Sequence, residues 1–187
     1  MCGRYYVDDE TSREIRKILD YLDEKFQRKT VKTGEIFPSD TVPILSASHK
    51  KIEPDISAWG FPGFNNKGVL INARAETVME KKMFRDSVLN RRCVIPANGF
   101  YEWDRSKNKY FFHRHESDIL YMAGIYNCYR NEPRFVILTT NANSSIEEIH
   151  SRMPLILEPD EIDTWILDTT RTSQILAKIP PQLSKAL

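Results

Sequence analysis

The chain has no apolar run near the ~18 residues that a membrane-spanning helix needs. Its start is equally unlike a secretory leader, because Asp8, Asp9, Glu10 and Glu14 stand where an apolar stretch would have to lie. Cysteine is scarce: Cys2, Cys93 and Cys128 form no CxxC pair and leave an odd count. That argues against a disulfide framework or a zinc site and makes a reducing cytoplasm the default compartment. An excess of one charge is also missing. Lys plus Arg number 27 against 26 Asp plus Glu, so no global basic field exists for nonspecific nucleic-acid binding, and any such partner must be held by a local groove. Repeats, low-complexity tracts, heptads and long linkers are absent, and 187 residues suit a single domain over 1–187, expected as a monomer.

What is present reads as short alternating elements. Thr11-Ser12-Arg13-Glu14 is a capping box, followed by Ile15, Ile18, Leu19, Leu22 and Phe26 at helical spacing. A polar connection runs from Arg28 to Pro43. Period two appears between Val69 and Glu76, and Thr77-Val78-Met79-Glu80 is a second capping box, opening a short helix through Met83, Phe84 and Val88. Strands are expected at Arg92–Ile95, Gly99–Trp103, Tyr110–His113, Ile119–Tyr126 and Arg134–Thr139. Ser144/Ser145 with Glu147/Glu148 start another short helix that must end before Pro154. Pro159 opens a helix carrying Ile162, Trp165 and Ile166, and a last helix covers Thr172–Ile179. Strands cluster without βαβ alternation, so the fold class is α+β with mostly antiparallel sheets flanked by short helices.

Four places carry candidate chemistry. Removal of Met1 would leave Cys2 with a free amine and a thiol on adjacent carbons, groups that titrate near roughly 8 and 8.5 in model peptides. Such a 1,2-aminothiol condenses with an aldehyde to an imine and then a five-membered thiazolidine; a chance cysteine beside the initiator is the plain alternative. In the Val69–Glu76 strand, Asn72, Arg74 and Glu76 share one face while Val69, Ile71, Ala73 and Ala75 share the other. That face is either the wall of a site or a solvated surface with an Arg–Glu pair. Glu102 sits among Phe100, Tyr101 and Trp103, where burial would raise its pKa and suit it to proton transfer; an exposed strand residue is the other reading. His150, at the end of a short helix, is either a proton carrier or a surface cap. His113 and His115 read as solvated, and without an acidic or cysteine partner at ligand spacing no metal is expected. Trp59 and Phe61 read as core, Phe64 as an exposed residue on which a base could stack, and Cys93 and Cys128 as buried and inert. Arg4, Arg74, Arg85, Arg91, Arg92 and Arg152 are available for phosphates.

Taken together, Met1-Cys2-Gly3-Arg4, Trp59-Gly60, Ile71 to Glu76, Gly99 to Trp103 and His150 to Pro154 resemble the SOS-response-associated peptidase (SRAP) family, the abasic-site processing proteins. The motifs span most of the chain in the family's order. The resemblance implies a barrel-like core, autocatalytic loss of Met1, and a covalent crosslink between Cys2 and abasic sites in single-stranded DNA, with no cofactor. It implies that Asn72 orients Cys2 and the sugar, that Glu102 transfers protons and serves Met1 release, and that His150 assists ring opening and Schiff-base steps. Arg4, Arg74 and Arg152 match positions that touch DNA, as do Pro38 and Thr139. On this reading the protein is cytoplasmic and nucleoid-associated when bound to DNA. Two departures stand out: Phe64-Asn65 where relatives often carry paired tryptophans, and a chain that stops soon after Pro180-Pro181 where many relatives continue. A noncatalytic reader of modified or single-stranded DNA, and a cysteine peptidase acting in trans, are the alternatives.

Overall fold

The computed structural model describes residues 2–26, 31–63 and 67–186. The elements run, in order, β1 (Arg4–Val7), α1 (Arg13–Phe26), β2 (Gly34–Ile36), β3 (Thr41–Ser48), β4 (Lys51–Trp59), β5 (Phe61–Pro62), β6 (Val69–Leu70) and β7 (Asn72–Arg74). The second half holds α2 (Lys82–Asn90), β8 (Arg92–Ala97), β9 (Gly99–Trp103), β10 (Lys109–His113), β11 (Leu120–Tyr129) and β12 (Glu132–Asn141). It ends with β13 (Arg152–Pro154), β14 (Ile156–Leu157), α3 (Ile162–Leu167), α4 (Thr172–Leu176) and β15 (Ser184–Ala186). The class is α+β, as the clustering of strands implied.

Five strands close into a barrel in the order β12-β4-β3-β8-β11, with β11 pairing back onto β12. The contact of β4 with β12 is parallel and the other barrel pairings are antiparallel. Closure removes free edges, which is one way a sheet avoids exposing unpaired backbone. Barrel strands are covered on both faces. Phe135 and Ile137 on β12 join one buried cluster, while Val136 and Leu138 join another with Phe84 and Val88 of α2 and Trp165 of α3. That explains why all six residues of β8 are buried.

A second sheet, β15-β10-β9-β1-β2, lays Tyr5, Phe100 and Phe112 into the first cluster beside Trp59 and Ile95. Gly99 is required where β9 meets β10, because a Cβ there would lie 2.5 Å from the Phe112 carbonyl oxygen and 2.4 Å from the Phe111 ring.

Several local expectations change. The cap of α1 is Ser12, whose Oγ accepts from the Ile15 amide at 3.4 Å, while Thr11 donates to Asp8. Thr77 opens no helix: residues 75–80 are turns and α2 begins at Lys82, after a Lys81 cap without a side-chain bond. The segment 144–149 is also a run of turns, organised by Asn143 Oδ1 accepting from the amide and hydroxyl of Ser145. The supposed connection from Arg28 to Pro43 contains β2 and the start of β3, and β4 was not anticipated. Helix α4 ends at Leu176 rather than Ile179. Cys93 is buried, but Cys128 is exposed near the end of β11. Arg92 is not available for phosphates; it is 4% exposed and bonds the carbonyls of Val88, Leu89, Trp165 and Ile166.

Candidate active site

Cys2 precedes β1 and is fully buried in the first cluster. Strand β1 lies antiparallel to β9 with Arg4 opposite Tyr101, so continuing that register by one residue sets Gly3 opposite Glu102. Alternation then turns Glu102 inward, with Phe100 and away from Tyr101, and leaves it 3% exposed. The sequence-level expectation of a carboxyl buried among aromatics therefore holds. Burial raises its pKa, an effect opposed in part by His150. The Cys2 thiol is also pushed up, first by burial and then by the charge of Glu102. Cys2 thus lies within electrostatic reach of Glu102, and Glu102 within reach of His150.

Asn72 reaches the same place from β7. That strand pairs in parallel with β12, with Ala73 opposite Leu138, and Trp59 Nε1 donates to the Ile71 carbonyl at 3.0 Å just ahead of it. The alternation read from the sequence is observed: Ala73 and Ala75 are buried at 3%, while Arg74 and Glu76 are exposed. The strand itself is shorter than expected, since Val69–Leu70 belongs to a separate two-stranded sheet with β5. Asn72 Nδ2 donates to the Cys2 carbonyl at 2.9 Å. Its Oδ1 is buried with no hydrogen-bond partner among the described residues, an acceptor whose desolvation costs about 1–3 kcal/mol until something fills it.

His150 lies on the loop between β12 and β13. Its Nδ1 accepts from the Arg152 amide at 3.0 Å and sits 3.1 Å from the Arg152 carbonyl oxygen. The amide is an obligate donor, so the neutral ring carries its proton on Nε2. The Arg152 backbone thus holds the ring through Nδ1. The helix-end argument for His150 does not apply, because the preceding residues are turns.

Of the residues matched to DNA contacts, Arg74, Thr139 and Arg152 lie together, Thr139 standing opposite Arg74 across β7 and β12 and accepting from Arg152. Arg4 is partly exposed, bonded to Glu35 at 3.1 Å and stacked 3.9 Å over Phe37, beside the partly exposed Pro38. Arg74 is exposed. Thr139 is fully buried, and Arg152 is 9% exposed with its guanidinium on Glu76, Asn141 and Thr139. Phe64 lies outside the described residues. Glu76 pairs with Arg152, a partner the sequence pattern does not name, although its place on the Asn72-Arg74 face is a signal.

Comparison with known proteins bears on this arrangement. The family model described as SOS response associated peptidase (SRAP) matches residues 1–186. The chain belongs to the SRAP family. Among curated SRAP-like relatives, the chain is 28% identical over 177 residues to the abasic site processing protein YedK of Escherichia coli, covering 89% of this chain and 79% of that one. It is 39% identical over 106 residues to the abasic site processing protein YoqW of Bacillus subtilis, covering 52% of this chain and 47% of that one. The match therefore spans about half the length of the Bacillus relative. A crystal structure of a protein from Bacteroides thetaiotaomicron superposes with a TM-score of 0.80 at 24% identity, over 98% of this chain and 90% of that one; at that identity it shows the fold. No helix among the described residues is long and apolar enough to cross a membrane.

Proposed function

We propose that this SRAP chain processes abasic sites in single-stranded DNA by crosslinking them to Cys2 after Met1 is removed. The observation that carries the reading is the convergence of a cysteine next to the initiator, a buried carboxyl and an oriented imidazole, with Asn72 holding the cysteine's carbonyl. In the translated chain the Cys2 nitrogen is in a peptide bond, so hydrolysis of the Met1–Cys2 bond comes first. The freed amine then adds to the aldehyde carbon of the ring-opened sugar, and its lone pair forms the C–N bond. One amine proton passes to the oxygen, and Glu102, whose raised pKa favours the protonated carboxyl, gives the second, so that water leaves with formation of the protonated imine. The Glu102 carboxylate takes the thiol proton, sulfur adds to the imine carbon, and the C–N π electrons return to nitrogen, closing the thiazolidine with Glu102 again protonated. Burial keeps the thiol protonated at the start, so nitrogen attacks before sulfur.

His150 exchanges a proton through Nε2 during sugar ring opening, and Asn72 Oδ1 accepts from the freed amine or a sugar hydroxyl. Arg4, Arg74 and Pro38 line the approach of the strand. An abasic nucleotide has no base to unstack, which fits a single-stranded substrate. Amine, thiol, carboxyl and imidazole suffice, so no metal or cofactor is needed. Residues 1–187 act as one domain and as a monomer.

The test is incubation of Met1-free protein, verified by intact mass, with single-stranded DNA bearing one abasic site, followed by a denaturing gel. A slow-migrating species absent from Cys2→Ala is expected. Its absence with processed protein would sink the reading. Salt-sensitive binding that survives Cys2→Ala without a covalent species would instead indicate a reader of damaged DNA.

A further inference from the structure

We infer that Glu76 and Arg152 are positioning residues that hold the His150 ring, so that an acidic residue on the DNA-facing side of the molecule aids the reaction. Arg152 Nη1 and Nη2 form a fork on the two Glu76 oxygens at 2.7 and 2.9 Å. The same nitrogens bond Asn141 Oδ1 at 2.8 Å and the Thr139 carbonyl at 2.6 Å. A planar guanidinium with a bidentate carboxylate and two further acceptors has little freedom left. The pair holds Glu76 below the usual carboxylate range, chiefly through the hydrogen bonds from Arg152. Arg152 opens β13, so fixing its side chain also fixes its backbone, and that amide and carbonyl are what His150 Nδ1 touches. The chain of contact runs from the end of β7, through the guanidinium, to the imidazole.

This inference rests on the crosslinking reading, and it separates from the idea that Arg152 serves as a phosphate ligand. A carboxylate near the strand repels DNA, so a purely electrostatic role makes Glu76→Gln bind DNA more tightly and react no more slowly. A positioning role makes the same variant bind as well or better yet crosslink more slowly at saturating DNA. A misplacement near 1 Å can cost about 100-fold, so a fall of roughly 10- to 100-fold is expected. Arg152→Lys keeps the charge and loses the fork, and it should show the same loss.

The experiment measures single-turnover crosslinking against DNA concentration for wild type, Glu76→Gln and Arg152→Lys, each shown folded by its melting curve. Alongside it, histidine ring nitrogen shifts are recorded on the DNA-free proteins. Slower saturating rates with undiminished affinity, and a His150 ring no longer fixed as the Nε2–H tautomer, are expected. Wild-type saturating rates in both variants, or a loss confined to DNA affinity, would overturn the inference. If wild type itself forms no crosslink, the crosslinking reading fails, and the tautomer comparison still decides whether Glu76 and Arg152 hold the ring.

Discussion

Replacing Arg92 by methionine tests how this barrel carries its helices. Arg92 opens β8, and its guanidinium reaches the carbonyls of Val88 at 3.1 Å and Leu89 at 2.6 Å, in the last turns of α2. It also reaches Trp165 and, at 3.2 Å, Ile166, near the end of α3, with Thr169 Oγ1 at 3.3 Å. One cation therefore caps two helix C-termini, where orphan carbonyls and the negative end of the helix dipole concentrate. Methionine keeps much of the stem's packing and removes every donor. A net charged hydrogen bond contributes about 1.5–3 kcal/mol, offset here by the cost of burying the cation. Each buried carbonyl left without its donor costs about 1–3 kcal/mol, so a net loss of about 3–5 kcal/mol is expected once the relief of no longer burying a cation is subtracted.

With a urea m-value of about 2 kcal/mol/M for a protein of this size, the unfolding midpoint should fall by roughly 1.5–2.5 M at unchanged m. Arg92→Lys, with a compact ammonium that cannot span both helices, should fall between the two. Because Arg92 faces the helices and not a strand of DNA, the folded variant should keep the wild-type salt dependence of DNA binding, whereas loss of a phosphate ligand flattens that slope by about one unit. A midpoint loss equivalent to less than ~1 kcal/mol, or a flattened salt slope, would refute the reasoning.

Thiol reagents should label Cys128 in the folded chain well before Cys2 or Cys93, which are buried with thiol pKa values pushed up; mass mapping of timed alkylation checks the order. Glu102→Gln should abolish Met1 release yet raise the melting temperature at neutral pH. The folded-state pKa of Glu102 is raised above 4.5, so its ionisation destabilises the fold as pH climbs past that value, and the gap between variant and wild type should open above about pH 4.5 and vanish below it. Glu76 has the opposite sign: its depressed pKa gives stability present above 4.5 and lost as pH falls through the folded value, so acid melts should separate wild type from Glu76→Gln only above that window. Gly99→Ala should lower the melting temperature sharply, since the new Cβ would collide with the Phe112 carbonyl across the β9–β10 ladder; an unshifted melt would show that the ladder yields.

Some of the chain was legible because the information is local. Strand β9 was read at its observed limits, β8, β10 and β12 were found with shorter ends, and β11 was found displaced, expected over Ile119–Tyr126 and observed over Leu120–Tyr129, since alternation or an apolar run shows within five to ten residues. Strands β3 and β4 were not. Pro43 looks like a breaker, yet in β3 it lies beyond the two residues that pair with β8, where a missing donor costs no ladder bond on that side. Strand β4 begins Lys51-Ile52-Glu53-Pro54-Asp55, and its Glu53 meets Tyr21 and Lys25 of α1. The turns before His150 carried a helical capping pattern, but Asn143 commits its side-chain oxygen to Ser145 and its amide to the carbonyls of Pro180 and Pro181.

By itself the sequence determined the chemistry available: an aminothiol behind one methionine, a glutamate among aromatics, a histidine, and an asparagine on a small-residue strand. Only the tertiary structure decided who meets whom. The Asn72–Cys2 bond spans 70 residues and the Glu76–Arg152 fork 76, separations at which no residue pattern encodes contact. Barrel closure through β4 and β12 and the β1–β9 pairing set those distances, and the same closure turned Arg92 and Arg152 from surface cations into buried braces.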